Sequence, residues 1–542
     1  MRPAYEPACN LAGPRASART PTLARREPAD PGTPPLVSEP LPRGVAALTV
    51  FVSSGSVLVL EILALRLIAP YVGVTLQTNT AVIGMALGAI ALGVWTGGRL
   101  ADVVDPRRVL PPLVVLAGGL TLLTLPIVRF AGAALGGADP TAVVLLAACA
   151  VFAPALLLSA VTPMVVKLQL SDLRRTGEIV GSLSGVGTLG AIVATFGTGF
   201  VLVAALPSSV IVLVLGGLLI AGGAGLWLLL RSSGRAAKHQ PDGRGPGGGR
   251  LAALALVAVL GAGLTVFAPQ PCDVETAYHC AAVAADPDRP SGRELRLDTL
   301  RHSYVDLRDP TYLEFSYIQG IASVADVLRP PGQPVRALHL GGGGMTLPRY
   351  LAAARPGSRN VVLEVDGGVV DLVRRELPPP PQAGIRVRVG DARVLVRDEP
   401  TGSYDLVVGD AFGGIAVPWH LTTATMVEQV QRVLAPDGVY AANVIDRPPN
   451  AFLRAELATI RAVFAHVALL APPAYLEGRD GGNFIVVASD RPLAVDAVLD
   501  RARQRGTDYA ALEGAALERF VGDADVLTDD HAPVDQLITP FS

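Results

Sequence analysis

Apolar residues follow two different patterns along this chain. Over its first half they form unbroken runs at 45–68, 78–98, 109–128, 141–163, 179–206, 209–230 and 251–268. Each run reaches about eighteen residues or more, which as helix covers a hydrocarbon core of about 30 Å. Seven membrane-spanning helices are therefore predicted over 45–268. Further on the runs shorten: ALHL at 337–340, NVVLEVD at 360–366, RVRVGDA at 386–392, DLVVGDAF at 405–412 and VYAANVI at 439–445. Short apolar runs alternating with helical or loop segments predict a parallel, doubly wound α/β sheet. A proline- and arginine-rich tail, 1–44, precedes the first run; it is predicted to be disordered and argues against a cleaved signal peptide. Residues 231–250 and 269–291 read as linkers, and 292–542 as the α/β domain. That domain opens with a small β lead-in at Leu295–Asp298, then a helix from near Asp309-Pro310 whose face carries Tyr312, Phe315 and Ile318.

Composition agrees with a chain half in lipid, since 50% of the 542 residues are apolar and only 17% charged. Charge placement adds an orientation. The tail and alternate loops carry seventeen Lys or Arg residues, whereas the remaining loops carry only Arg129. Basic residues near span ends resist translocation, so the tail is predicted cytoplasmic and, after an odd number of spans, the α/β domain extracytoplasmic. Cys272 and Cys280 stand just beyond the last run, where a disulfide worth about 2–3 kcal/mol and a pair of free thiols are both open. Inside the apolar half, Glu61 and Arg66 are costly to bury. Arg66 is placed to snorkel outward, and Glu61 to pair with it or to meet a ligand. Gly84, Gly88, Gly181, Gly185, Gly187 and Gly190 are small enough for close helix contact. The string GGRLADVVDPRR at 97–108 resembles the short cytoplasmic loop of major facilitator transporters, whose full fold needs more than seven spans.

The candidate chemistry lies in the turns of the second half. Gly341-Gly342-Gly343-Gly344 follows a strand and opens a helix, an arrangement that exposes backbone N–H groups to a ligand. Glu364 ends the next strand, where a carboxylate can accept both ribose hydroxyls. Asp391 follows the third strand and can take an adenine amino hydrogen or cap a helix. Asp410 ends the strand DLVVGD and points at the same crevice, where a desolvated carboxylate can bind an amine or accept its proton. A nicotinamide dehydrogenase fits less well, because Thr346 stands where the third glycine of that fingerprint belongs. The four cysteines and His279, His302, His339 and His420 lack zinc-ligand spacing, so no metal is expected. No basic, aromatic surface points to nucleic acid.

Over about Leu295 to Ala488 these residues resemble the spermidine synthase family, the polyamine aminopropyltransferases, and specifically its membrane-fused members. The motifs carrying the resemblance read GGGGM, LEVD, GDAR, YDLVVGDAF and Leu434-Ala435-Pro436-Asp437-Gly438. The resemblance implies a Rossmann-like, class I S-adenosylmethionine-type domain. By it, Gly341, Gly342, Gly343, Glu364 and Asp391 would hold decarboxylated S-adenosylmethionine, and Asp410 would deprotonate a small-molecule amine. Tyr317, in Glu314-Phe315-Ser316-Tyr317, would stand at the substrate gate, with Gln319 and His302 as further substrate-side positions. Four departures are visible. Gly344 replaces an acidic residue, Gly413 a second amine-binding aspartate, Gln319 a glutamate, and His302 a glutamine contacting the nucleoside. The reading that follows is a multi-pass, membrane-anchored aminopropyltransferase-like enzyme with the lipid bilayer as a partner and a homodimer left open. A catalytically silent nucleoside- or amine-binding sensor and a transporter-associated domain are the alternatives.

Overall fold

The computed structural model describes residues 41–137, 139–170, 173–235, 263–414 and 416–539, together with residues 249, 256, 259 and 261. Among them are six helices long and apolar enough to cross a membrane. These are α1 (Arg43–Val72), α2 (Leu76–Val103), α3 (Pro106–Leu135), α4 (Pro140–Gln169), α5 (Thr176–Ala205) and α6 (Ser208–Arg235). Half of the expected seventh span, 251–268, and nearly all of the tail lie outside the described residues. Local chemistry sets several helix ends. Gly73, at φ 73°, stops α1, Thr75 caps α2 through Thr78 N at 3.1 Å, and Asp105 caps α3 with Pro106 behind it.

Glycine decides which helices touch. A Cβ on Gly190 of α5 would stand 2.3 Å from Phe51 O of α1, and one on Gly93 of α2 equally close to Leu156 O of α4. Only hydrogen at these positions lets the backbones meet. Gly187 likewise faces Ser54 and Val50, whereas nothing lies within 4 Å of Gly84, Gly181 or Gly185. Half of the glycines expected at helix contacts therefore face elsewhere. Arg66 does not pair with Glu61: its guanidinium donates to Ser208 Oγ at 2.9 Å, Ala277 O at 2.7 Å and Thr276 O at 2.6 Å. Arg129 sits 3.7 Å from Glu275, whose carboxylate also accepts from Ser209 N. The end of α1, the end of α3 and the start of α6 thus meet the segment at 275–277.

That segment belongs to a four-stranded antiparallel sheet, β1 (Val274–Glu275), β2 (Cys280–Ala285), β3 (Gly292–Leu297) and β4 (Leu300–Asp306). Half of it falls in 269–291, the stretch expected to be linker. The alternation in Cys280–Ala285 is muted by a run of alanines, so the strand shows no period-2 contrast in sequence and is held by pairing with β3. Cys272 and Cys280 are disulfide-bonded.

The second sheet has eight strands in the order β12-β10-β11-β9-β8-β5-β6-β7. Its strands are β5 (Arg336–Leu340), β6 (Arg359–Glu364), β7 (Ile385–Val389), β8 (Tyr404–Gly409), β9 (Leu434–Asp446), β10 (His466–Ala471), β11 (Gly482–Ser489) and β12 (Ala510–Glu513). The first five pair in parallel, and the last three add antiparallel strands beyond β9. Side chains alternate between two cores. Val407, Tyr440 and Ala442 join one, and Leu406, Val408 and Ala441 the other. Helix α7 (Ser316–Val327) begins six residues after the expected start, because Asp309 closes a turn on Thr311 and Tyr312 instead of capping a helix. Helices α8 (Thr346–Ala354) and α9 (Gly367–Glu376) follow β5 and β6, and α9 packs Val369, Leu372 and Val373 against Ala281 and Leu295 of the first sheet.

Gly190→Ala should lower helix-bundle stability by about 1–3 kcal/mol, since backbone cannot yield to the new methyl as a side chain would. Gly185→Ala, into open space, should change little. Thermal unfolding of the detergent-solubilised protein compares the two, and equal midpoints would mean that α1 and α5 are not in backbone contact.

Candidate active site

The crevice arises where the chain reverses its direction of travel across the sheet. From β5 it moves to β6 and β7, then returns to lay β8 on the other side of β5. Loops leaving β5 and β8 therefore diverge and open a cleft at the carboxyl ends of the strands. Asp410 N donates to Leu340 O at 2.9 Å, and a Cβ on Gly341 would lie 2.2 Å from Asp410 O. Gly341 adopts φ 91° there, a conformation that glycine reaches without strain.

On one side of the cleft stand the groups suited to a nucleoside. Glu364 Oε2 accepts from Gly342 N at 2.8 Å and Gly343 N at 3.2 Å, and its Oε1 from Asp366 N at 3.0 Å. The carboxylate thus fixes the glycine turn through Oε2, while Oε1 keeps a lone pair for a further donor. Gly344 N donates to Ser303 Oγ at 3.0 Å, and a Cβ on Gly344 would sit 2.9 Å from Ser303 Cβ. Strand β4 fills the space where an acidic side chain at 344 would go. His302 lies over Gly343, its Nδ1 3.1 Å from Ser303 Oγ, and burial pushes its pKa down to about 4. It is a neutral imidazole at pH 7. Asp391 acts as the cap that was one of its two expected roles, Oδ1 accepting from Arg393 N at 2.8 Å, and its Oδ2 faces His420 Nε2 at 3.2 Å.

On the other side is Asp410. Asn443 Nδ2 donates to its Oδ1 at 2.9 Å and the Tyr317 hydroxyl to its Oδ2 at 3.3 Å. Asn443 Oδ1 in turn accepts from Asn483 Nδ2 at 2.9 Å. Burial raises the Asp410 pKa to about 6 against those two hydrogen bonds, which pull it down. Burial, helped by the neighbouring carboxylate, also keeps the Tyr317 phenol protonated well above its usual range. The arrangement holds one carboxylate, oriented at both oxygens, ionised at neutral pH and able to take a proton. Gln319 is not turned into the cleft. Its amide donates to Leu313 O at 2.7 Å and accepts from Thr507 Oγ1 at 2.6 Å. Sequence reading missed Asn443 and Asn483; the lone signal was an asparagine interrupting the apolar strand VYAANVI. Among the described residues no group of three or more His, Cys, Asp or Glu side chains could hold a metal ion.

No protein-family model matches the chain. It is 32% identical over 163 residues to a polyamine aminopropyltransferase of Vibrio vulnificus (strain CMCP6), a match covering 30% of this chain and 52% of that protein. Polyamine aminopropyltransferase 2 of Streptomyces coelicolor (strain ATCC BAA-471 / A3(2) / M145) is 37% identical over 142 residues, covering 24% of this chain and 25% of that one. The match thus spans about half the length of the first relative and a quarter of the second. Among solved structures, a probable spermidine synthase from Corynebacterium glutamicum ATCC 13032 shares 30% identity, with 49% of this chain and 98% of that chain covered and a TM-score of 0.45. By this identity to the curated relatives, the α/β half of the chain is spermidine synthase-like, and long apolar helices precede it.

Proposed function

We propose that this protein is a membrane-anchored aminopropyltransferase-like enzyme that moves the aminopropyl group of decarboxylated S-adenosylmethionine to a small amine. The observation carrying the reading is the carboxylate of Asp410, held at the switch point by Tyr317 and Asn443 with its pKa raised to about 6. Glu364 Oε1 has acceptor capacity left for a ribose hydroxyl, and Asp391 stands on the neighbouring strand end for the adenine amino group. The amine nitrogen attacks the aminopropyl carbon next to the sulfonium. A C–N bond forms, the C–S bond breaks, and its electron pair neutralises sulfur to leave methylthioadenosine. The surplus proton on the new ammonium passes to Asp410. A silent, ligand-sensing domain is the second reading, supported by Gly413 in place of a second carboxylate and by the engagement of Gln319 within the fold.

We place the cleft outside the cytoplasm. The basic tail and loops put the start of α1 inside, and Arg66 near the other end of α1 touches residues 276 and 277 of the α/β half. Helix α6 starts at that same end and runs away from it, yet Thr265, bonded to Arg129, is back there. An odd number of crossings fits these endpoints, as does the disulfide.

Asp410→Asn should lower turnover about a hundredfold or more while leaving nucleoside affinity within a few fold. In the unmutated enzyme the base is ionised above its raised pKa and protonated below it, so kcat/KM should fall as pH drops through about 6. Assays with putrescine, cadaverine, agmatine and spermidine decide between enzyme and sensor, because a sensor yields product from none of them. Glu364→Gln replaces a charged acceptor with a neutral one and should weaken methylthioadenosine binding roughly ten- to a hundredfold by calorimetry. Unchanged affinity would show that the cleft holds its ligand another way. A reporter active only outside the cytoplasm, fused after Ser542, should be active; signal from a cytoplasm-only reporter would overturn the orientation.

A further inference from the structure

The segment 272–280 touches the helical half on one side and the nucleoside side of the cleft on the other. Toward the helices, Arg66 of α1 binds the carbonyls of Thr276 and Ala277, and Glu275 takes Ser209 N and faces Arg129. Toward the cleft, the buried hydroxyl of Thr276 donates to Asp366 Oδ2 at 2.5 Å and accepts from Tyr278 N and His279 N. Asp366 Oδ1 caps α9 through Gly368 N and Val369 N, and Asp366 N donates to Glu364 Oε1. Glu364 Oε2 then fixes Gly342 and Gly343. The packing is tight, for a Cβ on Gly368 would lie 2.7 Å from Thr276 Cγ2. The segment is tied as well. The Cys272–Cys280 disulfide closes it, and Asp298 accepts from Cys280 N while facing His279 Nδ1 at 2.9 Å.

We propose that Arg66 and Thr276 are positioning residues for the nucleoside-binding carboxylate: the path Arg66–Thr276–Asp366–Glu364 ties the glycine turn to the helical half, so that the state of the helices and the occupancy of the cleft are linked. Neither residue touches the cleft itself. Each acts through hydrogen bonds whose geometry sets where Glu364 presents the free lone pair of Oε1. Linkage is reciprocal, so a nucleoside that tightens the glycine turn also tightens the contact between 276–277 and α1. The proposal rests on the cleft being a nucleoside site, as read above.

The test uses the full-length protein in lipid nanodiscs and two readouts. One is methylthioadenosine affinity, alongside KM for the amine. The other is amide hydrogen exchange at residues 341–344 without ligand. Loss of one charge-assisted hydrogen bond in the path by Thr276→Val should weaken the nucleoside about tenfold, with amine KM within about twofold, and should speed exchange at the glycine turn. Thr276→Ser keeps the hydroxyl and should restore both readouts. Arg66→Met should weaken the nucleoside about three- to tenfold, and Arg66→Lys less, since lysine keeps the charge and loses the fork. Unmutated affinity and exchange in both Thr276→Val and Arg66→Met would overturn the path. If the unmutated protein binds no methylthioadenosine, the functional reading fails, and exchange at 341–344 still decides whether the path positions the turn.

Discussion

The cleft depends on how closely two strand ends approach each other. With β5 and β8 side by side, the backbone leaving one passes within van der Waals reach of the backbone leaving the other, and any side chain at Gly341 would collide with Asp410 O. That approach brings a strand-end carboxylate from β8 beside a glycine turn from β5, and the next strand out supplies Glu364 to hold that turn. The proposed acid–base and nucleoside-binding groups therefore share one piece of backbone. The environment sets the difference between them. Glu364 is engaged by backbone N–H groups, whereas Asp410 is desolvated, which raises its pKa against the pull of its two neutral donors.

Much of this was legible beforehand because the signals were local. Strand β5 and helix α8 fall on ALHL and TLPRYLAAA, since a short apolar run followed by glycine and then by helix-forming residues leaves the chain few alternatives. The strand ends carrying Glu364, Asp391 and Asp410 were readable for the same reason, and the structure sets all three at the carboxyl ends of parallel strands in one sheet. Apolar runs long enough to span a bilayer need no tertiary information to be recognised.

The features that were not legible depend on partners distant in sequence. Strands β1 and β2 carry too little amphipathic contrast to announce themselves, and they exist because β3 and α9 cover them. Asn443 reads as an oddity in an apolar strand until Asp410 and Asn483 are beside it. Gln319 looked like a substrate contact and is a strut between Leu313 and Thr507. Glycines 181 and 187 look alike in sequence, yet only the second faces α1, because helical phase relative to a partner cannot be read from one helix alone.

Arg66 also bears on how the molecule is assembled. Its guanidinium is made with the first helix, but the carbonyls that satisfy it belong to residues 210 and 211 positions later. Until that stretch has been synthesised, two of the three hydrogen bonds that hold the Arg66 guanidinium, all but the one to Ser208, have no final partner. Contacts that span so much sequence close late and slowly. The final seating of the first helix therefore waits on the start of the half that follows the helices, which makes Arg66 a joint that closes only after all six of the described apolar helices have been made.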